Sequence, residues 1–168
     1  MAVTYKLIAS STVGAGGVSS IDFTSIPSTY TDLLLKVSAR STVGSNIDNY
    51  VLYFNNSSAS FSSKRLYGGG TGSGISDSPT STFGDVVGST ATANTFSNEE
   101  FYIPNYTSSN NKSFSYDGVG ENNATSAYAA IQAGLWSNTA AINRITLTLS
   151  STSFVQYTTA YLYGIKNS

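Results

Sequence analysis

Two stretches of this chain repeat with a period of two, and that narrows the folds open to it. Tyr30 to Arg40 reads Tyr-Thr-Asp-Leu-Leu-Leu-Lys-Val-Ser-Ala-Arg. Leu33, Leu35, Val37 and Ala39 fall on one face of an extended chain, while Leu34, Lys36, Ser38 and Arg40 fall on the other. Ile142 to Ser150 repeats the pattern, with Ile145, Leu147 and Leu149 against Arg144, Thr146 and Thr148. Alternation of this kind marks a strand with one dry and one wetter face. Pro27 reinforces the reading, because proline holds the residue before it in an extended or turn geometry. The dry faces predict a core led by Leu33, Leu35, Val37, Ile145, Leu147 and Leu149.

The rest of the chain parses into further strands. They are expected near Val3–Ser11, Val18–Phe23, Tyr50–Phe54, Phe61–Tyr67, Thr95–Tyr106, Lys112–Val119 and Phe154–Ile165. Asn55, Asn56, Ser57 and Ser58 form a turn signal between two of them. Thr125 to Trp136 is ambiguous. Its alanines favour a helix, but Ala127, Ala129, Ile131, Ala133 and Leu135 alternate and Gly134 opposes a helix interior, so a strand is expected. Gly68 to Ser81 is nearly all Gly, Ser, Thr and Asp and reads as a loop, either plain surface or a tip that orders on contact. About ten short strands without intervening helices predict an all-β fold: a two-sheet antiparallel β-sandwich of jelly-roll type. With 168 residues, the whole chain (1–168) is expected to form a single domain.

Composition limits the chemistry. The chain has no histidine and no cysteine. Disulfides, thiolate metal sites, histidine acid–base catalysis and a Ser-His-Asp triad are therefore excluded. Charged residues make up 10% and the net charge is −1, so nothing draws the chain to nucleic acid or to an anionic membrane. No run reaches the length of a membrane span. Leu7, Ile8 and Ala9 are too few for the apolar region of a signal peptide.

The remaining chemical candidates are thin. Glu99 and Glu100 are adjacent, with Asp117 and Glu121 further on, but neighbours on a strand point to opposite faces and do not form a glycosidase pair. A solvated strand start is the simpler reading. Asp77 and Asp85 offer oxygen ligands without the dense acidic loop of a calcium site. Gly72-Ser-Gly74 lacks a nucleophile-elbow context, and Gly68 to Gly72 lacks the Lys-Ser/Thr ending of a phosphate loop. The expectation is no catalytic residue, no cofactor and no metal. The 12 tyrosines are the open feature, either half-buried on strands or displayed for contact with sugar or protein.

The final strand region carries the best interface candidate. Val155, Tyr157, Tyr161, Tyr163 and Ile165 are placed on one side, with Phe154, Ala160, Leu162 and Gly164 on the other. One side suits the core and the other needs cover from a loop or a partner.

Three stretches together carry a resemblance: Ile26-Pro-Ser-Thr-Tyr-Thr-Asp-Leu-Leu-Leu35 running into Val37-Ser-Ala-Arg40, Gly134-Leu-Trp136 with Ala140 to Leu149, and Ala160-Tyr-Leu-Tyr-Gly-Ile165. The combination resembles small β-sandwich virion proteins of tailed bacteriophages, especially those of aquatic bacteria. The resemblance implies a non-enzymatic structural protein, a capsid decoration (cement) subunit on the head exterior, made in the host cytoplasm. It implies docking on other virion proteins, the major capsid protein above all, as a homo-oligomer. The alternative is a receptor-binding or carbohydrate-recognising part of a tail or fibre, with a surface glycan as partner.

Overall fold

The computed structural model describes residues 4–69, 74–121, 127–150 and 152–166. Among them there is no helix, and twelve strands form two antiparallel sheets. The strands are β1 Thr4–Thr12, β2 Ser20–Phe23, β3 Asp32–Ser38, β4 Ile47–Phe54, β5 Phe61–Gly69 and β6 Ile75–Asp77. They continue as β7 Thr82–Val87, β8 Asn98–Ile103, β9 Lys112–Gly120, β10 Tyr128–Trp136, β11 Ile145–Leu149 and β12 Thr159–Lys166. The larger sheet runs β1-β12-β3-β8-β9-β10-β5-β6 and the smaller β2-β11-β4-β7.

The core lies where the two sheets face each other. Leu33, Leu35 and Val37 from β3, and Ile145, Leu147 and Leu149 from β11, are all buried in it. Around them sits a cluster of rings. Phe54 lies 5.5 Å from both Phe114 and Trp136, and Phe61 stacks on Trp136 at 6.2 Å between ring centres. Edge-on contacts of this kind add stabilisation beyond the area that the rings bury.

The ambiguous segment is a strand from Tyr128 to Trp136, and its Thr125 and Ser126 lie outside the described residues. β10 pairs with β9 and β5 along its whole length, and Ala130, Gln132, Gly134 and Trp136 turn inward. Gly134 is required there for space, because the Phe114 ring of the facing strand lies over it and a Cβ would fall 2.3 Å from that ring. The Asn-Asn turn also forms as its residues predict. Asn55 and Asn56 take φ of 51° and 66°, and Phe54 and Ser57 exchange backbone hydrogen bonds at 3.1 and 3.0 Å.

Three expectations need correction. The first concerns Gly68 to Ser81, which is not one loop. Gly68 and Gly69 complete β5, Ile75–Asp77 is an edge strand, and residues 70–73 lie outside the described residues. The second is an unexpected strand, β7. Its Gly84 and Asp85 sit where the β4–β7 register slips between Asp48 and Tyr50. Gly84 has φ +71°, and the Asn49 side chain donates to its carbonyl at 2.5 Å, so a bulge uses turn chemistry inside a strand. The third is Arg40. It lies beyond the end of β3, not on that strand's wet face, and is largely buried. Its guanidinium donates to the carbonyls of Ser89, Ala91, Thr92 and Thr95.

Candidate interaction surface

Pairing registers fix what lies on the outer face of the larger sheet. One row of partners crosses the whole sheet: Ser10, Tyr161, Lys36, Glu100, Asp117, Ile131, Leu66 and Ser76. The next row brings Leu7, Tyr163, Leu34 and Tyr102 together. Two apolar fields result. At one end Tyr5, Leu7 and Tyr161 are 59%, 48% and 38% exposed. At the other Leu66, Val119 and Ile131 are 52%, 49% and 59% exposed, with Ala129 and Ala133 also open. A shallow hollow bordered by Leu66, Val119, Ala129 and Ile131 lies over this second field. Between the fields Lys36 Nζ meets Glu100 Oε2 at 2.7 Å, and the exposed Asp117 stands beside Glu100 in the ladder.

The five residues expected to share one side do not all do so. Tyr161, Tyr163 and Ile165 alternate on the outer face of β12. Ile165 is only 3% exposed and is already covered by the chain itself. Val155 and Tyr157 precede the strand in a turn, where the Tyr157 amide donates to Val13 and the Val155 amide to Arg40. Tyr157 has φ +72°, and this left-handed turn breaks the alternation that a straight reading of Phe154–Ile165 assumes. The opposite set is as expected, since Phe154, Ala160 and Leu162 are fully buried. The field around Ile131 was hidden in the sequence by the small residues between its members, although the alternation of β10 contained it.

The chemistry-bearing residues gather elsewhere, in a polar seam between the sheets. Asp85 on β7 accepts from Arg65 Nη1 at 3.3 Å and from Asn49 Nδ2 at 3.2 Å through one carboxylate oxygen, Oδ1. Arg65 also holds Asp77, with Nη2 to Oδ2 at 2.7 Å, and lies over the Tyr67 ring at 4.3 Å. Asp77 and Asp85 are thus joined by an arginine, which fills the place a cation would take. Among the described residues no group of three acidic, histidine or cysteine side chains is arranged to hold a metal ion. Gly72 and Ser73 of the serine candidate lie outside the described residues, as do Gly70 and Thr71 of the phosphate-loop candidate.

Glu99 overturns its expectation outright. It is not at a solvated strand start but is 2% exposed, in the interior. The Tyr50 hydroxyl donates to its Oε2, and its Oε1 has no partner. Burial raises its carboxyl to about 8, against the pull of the Tyr50 hydroxyl. Burial likewise raises Tyr50 and Tyr116. Adjacent Glu100 points outward as strand alternation requires, so the two glutamates do occupy opposite faces.

No protein-family model matches the chain, and no curated protein or solved structure matches it.

Proposed function

We propose that this protein is a non-enzymatic virion structural subunit that works by association, as a capsid decoration protein on the head of a tailed phage. One observation carries the reading: the outer face of the larger sheet holds two exposed apolar fields on a rigid, fully paired scaffold. Contiguous apolar surface on a folded domain marks a contact site. Interface centres are depleted of charge and enriched in aromatics, and this face has four tyrosines, a charged strip of Lys36, Glu100 and Asp117 between the fields, and Lys64 beside the second. Its occupants on this reading are the major capsid protein and further copies of the chain.

The strand order supports the same reading. β1 pairs with β12, β2 with β11, β3 with β8 and β4 with β7, a nested set. We read it as a jelly roll, with the β5–β6 and β9–β10 hairpins extending one sheet, an architecture that capsid proteins use. The resemblance to small phage virion proteins points the same way. The test is sedimentation of the purified protein with and without phage capsids that lack it. Co-sedimentation that saturates at many copies per shell is the expected result. A protein that ignores capsids but binds a host polysaccharide is a tail receptor-binding component instead, with Tyr5, Tyr157 and Tyr161 as its exposed rings.

A further inference from the structure

Among the described residues Glu99 is the most deeply buried acid, and no ion pair reaches it. Glu99 sits on β8, and the Tyr50 hydroxyl of β4, in the other sheet, binds it across the gap. On its own sheet Val37 and Gly118 are its ladder partners. Tyr116 folds back over Gly118, so that a Cβ there would lie 2.0 Å from the Tyr116 hydroxyl and 2.8 Å from Glu99 Cγ. That hydroxyl in turn accepts from the Asp85 amide on β7 at 3.3 Å. Glu99 therefore sits at the point where the side chains of β4, β8 and β9 tie the two sheets together.

The groups packed around it do not neutralise it. From β4 it faces Tyr50, with Asp48 further along the same strand face, bound by Thr152 at 2.5 Å. From β7 it faces Asp85, another buried acid, and from β9 Tyr116. The cations nearby are engaged elsewhere. Arg65 holds Asp77 and Asp85, Arg40 is filled by loop carbonyls, and Lys36 lies on the outer face with Glu100. An ionised carboxylate in such a place is costly without a partner, and one carboxyl oxygen is already unpartnered.

We propose that Glu99 is folded as a neutral acid and acts as an alkaline-side switch on the closure of the two sheets. Loss of its proton puts an unpaired charge into the seam, and the β4 contact with β8 and β9 loosens. The proton goes to solvent, and the group that returns it is water or buffer. The sign follows from linkage. The folded form keeps the proton to about pH 8 and the unfolded form releases it near 4.5, so folding binds a proton between these values and stability falls as pH rises through them.

The experiment is a urea unfolding series from pH 6 to 8 on the full chain and on Glu99→Gln. For the wild type the unfolding constant rises about fiftyfold over that range, and in Glu99→Gln most of this rise is absent. Asp85→Asn keeps the larger part of the rise, less the share contributed by its own charge facing Glu99, which separates the two buried acids. A flat wild-type profile, or the same rise in Glu99→Gln, overturns the proposal. Because Glu99→Gln is itself a core substitution, the wild type is also titrated by side-chain NMR with labelled glutamate, of which the chain has three. One signal moving near pH 8, absent from the spectrum of Glu99→Gln, is expected. No signal moving there overturns it.

Discussion

Gly134→Ala should destabilise the protein although alanine suits a strand better than glycine does. The added Cβ would lie 2.3, 2.5 and 2.7 Å from three atoms at the tip of the Phe114 ring. Carbon pairs prefer about 3.5–4.0 Å, so the ring must retreat by about 1 Å or more. It has nowhere to go. Phe83, Phe54 and Phe61 surround it at 5.1, 5.5 and 6.1 Å between ring centres. Overpacking of this kind costs about 1–3 kcal/mol, and a weakened ring pair adds roughly 0.5–1.5. The relief of glycine's backbone entropy returns about 0.5–1 kcal/mol. The net expectation is a loss of about 2 kcal/mol. Trp136 is the only tryptophan and lies 5.5 Å from Phe54 in the same cluster, so its fluorescence during urea unfolding reports the change directly. Gly68→Ala is the matched control, on the adjacent strand with nothing within 4 Å of the new Cβ. It should be neutral or slightly stabilising. A Gly134→Ala protein within about 0.5 kcal/mol of wild type would refute the claim that Phe114 is locked over this glycine.

Three further outcomes follow from the same geometry. Leu35→Ala, at a fully buried site flanked by Leu162 and Phe101 in the ladder, should cost about 2–5 kcal/mol in urea unfolding; a loss below about 1 would place it outside the core. Lys36→Ala should shift the unfolding midpoint by less than the equivalent of about 1 kcal/mol, since its ion pair with Glu100 is solvent-exposed on both sides. Ile131→Lys, at an outer-face site that is 59% exposed and directly opposite Asp117 in the ladder, should leave the unfolding midpoint nearly unchanged yet reduce co-sedimentation with capsids; equal binding by this variant would clear that field of any role.

The framework was legible because it depends on alternation, which a sequence displays directly. Leu33, Leu35 and Val37, with Ile145, Leu147 and Leu149, became core residues because period two permits no other facing once one of them is buried. Thr125 to Trp136 was settled by Gly134, whose missing side chain makes room for Phe114. β7 was illegible because a bulge needs Gly84 at φ +71°, the same signal that marks a turn. The turn at Tyr157 was hidden for the opposite reason: a tyrosine with positive φ looks like one more strand residue. Glu99 could not be read at all. Its burial depends on Tyr50, far away in the chain, and on Gly118 opposite it, and neither is marked in the local pattern. The surface fields fell between these cases. The alternation that places Ile131 outward is visible, but its neighbours Leu66 and Val119 join it only through strand pairing.

An electron-microscopy reconstruction of the intact phage particle tests the central claim most directly. The proposed function predicts this chain in many copies over the shell, with Leu66, Val119 and Ile131, or Tyr5, Leu7 and Tyr161, buried against capsid or a neighbouring copy. A particle in which the outer face of the larger sheet is open to solvent, or in which the chain occurs only in a few copies at the tail tip, contradicts it.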